Sequence, residues 1–168
     1  GLFSRVGNGF ANRVAKWNGS AWSTLGSGMG RDVYPGVFAL AVSGTNLYAG
    51  GQFTSAGGVA AINIAKWDGR AWSALGSGMN QWGGSVSALA VSGTDLYAGS
   101  SFTNAGGLTV NYIAKWDGSA WSAVSSLTSS FLSGVWGSSA SDVWAVGAAG
   151  TVLHRNGTAW SAVPGGTS

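Results

Sequence analysis

The side chains that could carry acid–base or metal chemistry are scarce in this sequence. Its 168 residues hold five acidic groups, all of them aspartate, with one histidine and no cysteine. General acid–base catalysis needs positioned groups with tuned pKa values, and metal sites need several ligating side chains close together. We therefore expect no enzyme activity, no metal and no cofactor. The aspartates are Asp32, Asp68, Asp95, Asp117 and Asp142.

Four of these aspartates fall where the sequence predicts turns. Asp68 and Asp117 each precede a glycine in a short turn, and Asp95 and Asp142 also lie between predicted strands. Turn formation is a sufficient role for an aspartate, because its side chain can bond to the backbone a few residues on. His154 lies on a predicted strand, and we expect it to be a packing or surface residue.

The tryptophans recur in pairs, and a four-residue connection places the members of each pair opposite one another across a hairpin. Such pairs suit the apolar core between neighbouring units of a repeat fold, which is the role we expect. The alternative is a sugar-stacking platform repeated once per unit. The pairs are Trp17 with Trp22, Trp67 with Trp72, and Trp116 with Trp121.

A lysine accompanies each tryptophan pair, at Lys16, Lys66 and Lys115. In a closed ring these three side chains would occupy equivalent positions and could hold an anion. The more common arrangement lays the aliphatic stem along the surface and keeps the ammonium group in water.

These residues belong to a segment that recurs about every 50 residues, a spacing that indicates a repeat architecture. Residues 64–75 read IAKWDGRAWSAL, and residues 14–25, 113–124 and 152–163 are copies, the last one weaker. The repeat is therefore the strongest indicator of the fold in this sequence.

Each full repeat contains four short predicted strands. Four strands per repeat, glycine turns and no helical period are typical of a propeller blade. In the repeat with the clearest pattern, residues 54–62 are predicted to be a loop between the second and third strands. The strands are A over 37–43, B over 47–53, C over 63–67 and D over 72–75.

The repeat resembles the kelch-type blade of bacterial secreted and surface proteins. The resemblance covers about residues 1–126 and rests on Ala39 to Gly51 (ALAVSGTNLYAGG), with its closing Gly50-Gly51, and on the aromatics Trp67 and Trp72. The next copy departs from it with Gly99-Ser100. The resemblance implies an all-β propeller at an extracellular or cell-surface location. Residues 135–147 are similar to a different bacterial propeller module.

The chain holds about three and a half predicted blades. Propellers close with 4–8 blades, so we expect the ring to be completed by a larger propeller or by self-association. Two copies of three and a half blades would give seven. The blades are a partial one over 1–29, two full ones over 37–79 and 86–126, and a divergent one over 134–163.

Composition excludes two classes of partner. The formal net charge is +3 with no basic run, whereas nucleic-acid binders cluster their basic residues on one face. No apolar stretch reaches the roughly 18 residues that a membrane span requires. We expect neither a nucleic-acid partner nor a membrane span.

The D–A connections between repeats differ most in sequence, and they carry aromatics beside polar side chains, as binding loops do. We expect a non-enzymatic module that binds protein or cell-surface material through this face. The alternative is a multivalent lectin with a sugar site between adjacent blades. The candidate ligand contacts are Arg31, Tyr34, Gln81, Trp82 and Phe131.

Overall fold

A computed structural model describes residues 1–30, 36–79 and 84–164, and nearly all of the regular secondary structure in these residues is β-strand. Three four-stranded antiparallel sheets follow one another along the described part of the chain, and two two-stranded hairpins precede them. The described residues contain one short 3₁₀ turn, Ala148–Gly150, and no helix long and apolar enough to cross a bilayer. The chain is therefore all-β, as the repeat predicts.

The first repeat forms only short hairpins. One hairpin joins β1 to β2, and a second joins β3 to β4, in which Trp17 lies opposite Trp22. A further short strand, β5, leads towards the next sheet. The bounds are β1 Arg5–Val6, β2 Gly9–Phe10, β3 Ala15–Trp17, β4 Trp22–Thr24 and β5 Met29–Gly30.

The second repeat forms the first complete sheet, whose strands pair in the order β6, β7, β10, β11. They correspond to predicted strands A to D within one residue at each end. Between the second and third strands, β8 and β9 form a small hairpin that pairs with β5 of the preceding repeat. The bounds are β6 Gly36–Ser43, β7 Asn46–Gln52, β8 Ser55–Ala56, β9 Val59–Ala60, β10 Ile64–Trp67 and β11 Trp72–Ala74.

The third repeat has the same plan. Its sheet has the order β12, β13, β16, β17, and β14 pairs with β15 in the connection. The bounds are β12 Ala88–Ser92, β13 Asp95–Gly99, β14 Asn104–Ala105, β15 Leu108–Thr109, β16 Ile113–Trp116 and β17 Trp121–Ala123.

The divergent last repeat is also a complete sheet, in the order β18, β19, β20, β21. The 3₁₀ turn takes the place of the small hairpin, which accounts for the shorter sequence interval. The bounds are β18 Leu132–Ser139, β19 Asp142–Gly147, β20 Val152–Arg155 and β21 Trp160–Ala162.

The predicted loop over 54–62 is wrong in one respect, because it contains the β8–β9 hairpin. Gly57 and Gly58 form its turn with positive φ angles of 60° and 84°, a backbone conformation that glycine adopts without steric cost. The third strand also begins one residue later than predicted. Asn63 has a φ of 63°, and its side chain accepts a hydrogen bond from the Phe53 N–H at 3.1 Å.

The turns at Asp68 and Asp117 are confirmed, whereas Asp95 and Asp142, also predicted in turns, are the first residues of β13 and β19. The Asp68 carboxylate accepts backbone N–H groups of Arg70 and Ala71, each at 2.8 Å. The Asp117 carboxylate accepts those of Ser119 and Ala120 at the same distance. Both of these C–D hairpins are thus closed by a side chain that replaces backbone partners in the turn.

The sheets pack face to face around their first strands. β12 contacts both β6 and β18, so the sheets radiate from neighbouring inner strands as propeller blades do. An apolar cluster lies between each pair of neighbouring repeats. The cluster between the two central sheets includes Tyr48, Ile64, Leu75, Leu96, Phe102 and Trp121.

A tryptophan links each central sheet to the preceding repeat. The Trp72 indole N–H donates to the Leu25 carbonyl at 2.8 Å, and the Trp121 indole N–H donates to the Leu75 carbonyl at 2.9 Å. Both indoles are at least 94% buried, since their exposed fractions are 4% and 6%. The expected packing role of these tryptophans is therefore confirmed at both positions.

Trp72→Phe should lower the free energy of unfolding by about 2 kcal/mol, because it leaves the buried Leu25 carbonyl without its donor and removes packed volume. The matched control is Trp22→Phe at the equivalent but half-exposed position, which should change stability by about 0.5 kcal/mol or less. Urea unfolding followed by far-UV circular dichroism measures both. Equal losses in the two variants would contradict the assigned role.

Candidate functional site

The edge of β3 is open. Within the described ranges β3 pairs only with β4, whereas its counterpart β10 lies between two strands. In that complete sheet β7 pairs with β10 through Gly50 opposite Ile64 and Leu47 opposite Trp67. In the first repeat the corresponding strand, β3 Ala15–Trp17, therefore has an unpaired backbone edge, whereas Val14 before it is buried and donates its N–H to the Ala11 carbonyl at 3.0 Å. Unpaired sheet edges are templates for pairing with another strand.

The space beside this edge is a groove. Two cavities of about 570 Å³ and 690 Å³ both include Ala15 and Leu40 in their walls. The groove runs between the β3–β4 hairpin and β6, the inner strand of the first complete sheet. It lies where the first two strands of a complete repeat would be. We call it the first-repeat groove, with Ala15, Lys16, Trp22, Phe38, Leu40 and Val42 among its lining residues.

The β6 side of the groove is apolar and uncovered. Leu40 and Val42 are 51% and 65% exposed. Their counterparts in the next repeat, Leu89 and Val91, are partly buried against the cluster between the central sheets. The same residue types at the same register are thus covered where a preceding sheet is complete and exposed where it is not.

The β3–β4 side is aromatic. The Trp17 and Trp22 rings pack against each other with centroids 5.4 Å apart, the same geometry as Trp67 with Trp72 at 5.5 Å. Unlike Trp72, Trp22 is 54% exposed. A contiguous apolar surface of this kind marks an interaction site.

The predicted loop contacts fall mostly outside the described residues: Arg31, Tyr34, Gln81 and Trp82 all do. Phe131 is described and lies immediately before β18 with an exposed side chain. Its carbonyl accepts the Ala148 N–H at 3.0 Å, so the backbone is fixed while the ring faces solvent.

Lys115 is engaged within its own sheet. Its ammonium group lies 3.0 Å from the Asp95 carboxylate, and both side chains are partly buried. Lys16 lines the first-repeat groove on the exposed hairpin. The lysines at equivalent sequence positions therefore have different surroundings.

His154 and Asp142 form a cluster that the sequence did not predict. The Asp142 carboxylate accepts hydrogen bonds from His154 Nε2 at 2.8 Å, from the Trp144 indole at 2.9 Å, and from the Ser138 hydroxyl. The Trp144 and His154 rings stack with centroids 4.0 Å apart. Register explains the contact, since Trp144 lies opposite His154 in neighbouring strands.

This cluster is arranged to hold strands together. The Ser138 hydroxyl bonds to Asp142, so the carboxylate stands between it and the imidazole of His154. A hydroxyl nucleophile instead needs its base within direct hydrogen-bond reach. The three donors come from β18, β19 and β20, and the cluster ties these strands together at one end of the last sheet. Among the described residues, no group of three His, Cys, Asp or Glu side chains could hold a metal ion.

Comparisons with known proteins identify no family for this chain. No protein-family model matches the chain, and no curated protein matches it. One solved structure with a likeness is described as "YCF48 bound to D1 peptide", at 16% identity and a TM-score of 0.42, covering 85% of this chain and 57% of that one. The chain thus spans somewhat more than half the length of that protein.

Acid should weaken the last sheet. Hydrogen bonds, first from Ser138 and then from His154 and Trp144, hold the pKa of the Asp142 carboxyl below its ordinary value. A carboxyl whose pKa is lowered by folding adds stability above its unfolded value of about 3.9, and this stability is lost as the pH falls through the folded value.

The free energy of unfolding should therefore fall less steeply in Asp142→Asn than in the unaltered protein between about pH 5 and about pH 2. Urea unfolding at a series of pH values measures the difference. Asp117→Asn is the comparison variant for a carboxylate outside the cluster. Backbone N–H groups lower the pKa of Asp117 to about 2, so its replacement tests the effect of a turn aspartate on the same pH profile. Identical pH profiles for Asp142→Asn and the unaltered chain would contradict the assignment.

Proposed function

We propose that this chain is a non-enzymatic interaction module, built as part of a kelch-like propeller, whose first sheet is completed by a β-hairpin from further blades of a larger propeller or from a protein partner. The observation that carries the proposal is the open edge of β3 beside the first-repeat groove. The partner segment is a β-hairpin of the same kind as residues 37–50, the A–B hairpin of the first complete sheet. Strand addition of this type draws affinity from main-chain hydrogen bonds and specificity from alternate side chains.

The complete sheets supply the template for this binding. In them, β7 pairs with β10 over four residues, and β6 pairs with β7. A hairpin in the first-repeat groove would pair with residues 15–17 in the same way. Its inner strand would then lie against β6 and cover Leu40 and Val42. Burying such side chains stabilises a complex by about 25 cal/mol for each Å² of apolar surface.

The hairpin that completes the first sheet has two candidate sources. We propose either further blades of a larger propeller or a partner chain, in an extracellular or cell-surface setting. Self-association is a variant of the second source. Two copies would each bring the same β3–β4 hairpin, the third and fourth strands of a repeat, and these two hairpins do not complement each other. A second copy would therefore have to exchange an A–B hairpin, as in domain swapping.

The lectin alternative in its simplest form requires a sugar-stacking tryptophan in every repeat. Trp72 and Trp121 are buried with their indole N–H groups already bonded to carbonyls, which leaves Trp17 and Trp22 as exposed members of the series. These two line or adjoin the groove that we assign to a hairpin.

A synthetic peptide of residues 37–50 should bind the unaltered protein saturably, and a scrambled peptide of the same composition should not. Tryptophan fluorescence and calorimetry measure the binding. Leu40→Asp should weaken it by at least about tenfold, because a buried unpaired charge is costly. Val146→Asp, at an exposed position in the last sheet, is the matched control and should leave affinity unchanged. Equal binding of both peptides would contradict the proposal.

Solution mass then identifies the source of the hairpin. Light scattering that gives a discrete species near twice 16.8 kDa would assign the hairpin to a second copy. A monomer that binds the peptide would assign it to a different chain or to further blades. One peptide should bind per monomer, since β3 is the one third strand of a repeat, among the described residues, that lacks a second strand beside it.

A further inference from the structure

A second, chemically different cleft lies between the two last sheets. It has a volume of about 390 Å³, within the size range of small-ligand sites. Its walls come from the outer strands of both sheets and from the turn of the last C–D hairpin. Its lining residues include Tyr97, Lys115, Ser122, Arg155, Thr158 and Trp160.

The cleft is open because one residue breaks the repeat. Arg155 occupies the position held by Trp67 and Trp116 in the two preceding repeats. At the preceding junction Trp116 packs against the apolar cluster and lies 5.4 Å from Trp121. In the last sheet Arg155 pairs with Trp160 in the same register. A guanidinium group thus replaces the indole that fills the equivalent space elsewhere.

The Tyr97 hydroxyl is buried without a hydrogen-bond partner among the described residues. The residue is 1% exposed, and its ring packs edge-on against Trp160 with centroids 6.0 Å apart. Burial raises the pKa of this phenol, so it remains a hydrogen-bond donor at neutral pH. A buried hydroxyl with no partner costs about 1–3 kcal/mol, and one in the wall of a cleft indicates a missing partner group.

The charge of the cleft is positive. Lys115 is neutralised by Asp95 at 3.0 Å, whereas the Arg155 guanidinium bonds to a neutral group, the Ala140 carbonyl. A guanidinium has five N–H donors in a planar fork, which matches a carboxylate in geometry as well as in charge. Trp160 supplies an aromatic wall, against which the apolar part of a ligand can pack.

We infer that this cleft binds a carboxylate-bearing ligand. The carboxylate pairs with Arg155 and accepts the Tyr97 hydroxyl, and the body of the ligand lies against Trp160 near the hydroxyl groups of Ser122 and Thr158. Two sources carry this chemistry: a uronic acid of a glycan, and an acidic side chain of a peptide. The site is separate from the first-repeat groove and does not depend on the function proposed for that groove.

The test is a ¹⁵N-NMR titration of the unaltered protein with glucuronate, with N-acetyl-glutamate amide and with neutral glucose. The Trp160 indole N–H signal should shift and saturate with at least one of the two carboxylates and not with glucose. Saturation with glucuronate alone identifies an acidic sugar, and saturation with the glutamate derivative alone identifies a peptide. Saturation with both assigns carboxylate recognition itself. No shift, or equal shifts with glucose, would overturn the inference.

Three variants complete the test. Tyr97→Phe should weaken carboxylate binding about tenfold and keep the free energy of unfolding equal or higher, because it removes an unbonded hydroxyl. Arg155→Trp restores the repeat residue and should abolish binding. Tyr48→Phe, at the equivalent tyrosine of the preceding repeat, is the control and should bind as the unaltered protein does. Unchanged affinity in Tyr97→Phe would overturn the inference even if binding occurs.

Discussion

The structure depends on how each sheet is held against the repeat before it. A buried indole donates across the junction to a carbonyl at the end of the preceding fourth strand, as Trp72 does to Leu25 and Trp121 to Leu75. The bond combines a large apolar surface with a satisfied polar group, which suits a tryptophan in a core. Stability in such a chain is a sum of repeat and neighbour terms, and each of these two junctions contributes one such tryptophan.

The same constraint explains where the molecule can interact. Trp22 has the sequence of a junction tryptophan, but no preceding sheet among the described residues covers it, and it is half exposed. The open edge of β3 and the exposed side chains of β6 arise from the same incomplete first sheet. At the last junction the deviation is chemical, because Arg155 replaces an indole and opens a polar cleft. Both candidate sites thus lie where the repeat is interrupted.

The sequence predicts those features of the fold that are local. The four strands of each repeat and the turns at Asp68 and Asp117 depend on residues a few positions apart, so spacing is enough to place them. Asn63, the small β8–β9 hairpin and the Asp142–His154 cluster depend on register between strands, which spacing alone does not give. Arg31, Tyr34, Gln81 and Trp82 lie outside the described residues, so their predicted role as ligand contacts stays a prediction. The cleft at Arg155 was detectable in the sequence as one departure at an otherwise repeated tryptophan position.

Among the described residues the third and fourth strands of the first repeat form a two-stranded sheet, whereas the later repeats form four-stranded sheets, and amide hydrogen exchange tests this difference most directly. The amides of residues 15–17 should exchange at least about tenfold faster than those of residues 65–67, because local opening is easiest where a strand lacks a neighbour. These two segments have nearly the same sequence, so intrinsic exchange rates differ little between them. Equal protection of the two segments in the isolated protein would show that β3 has no open edge.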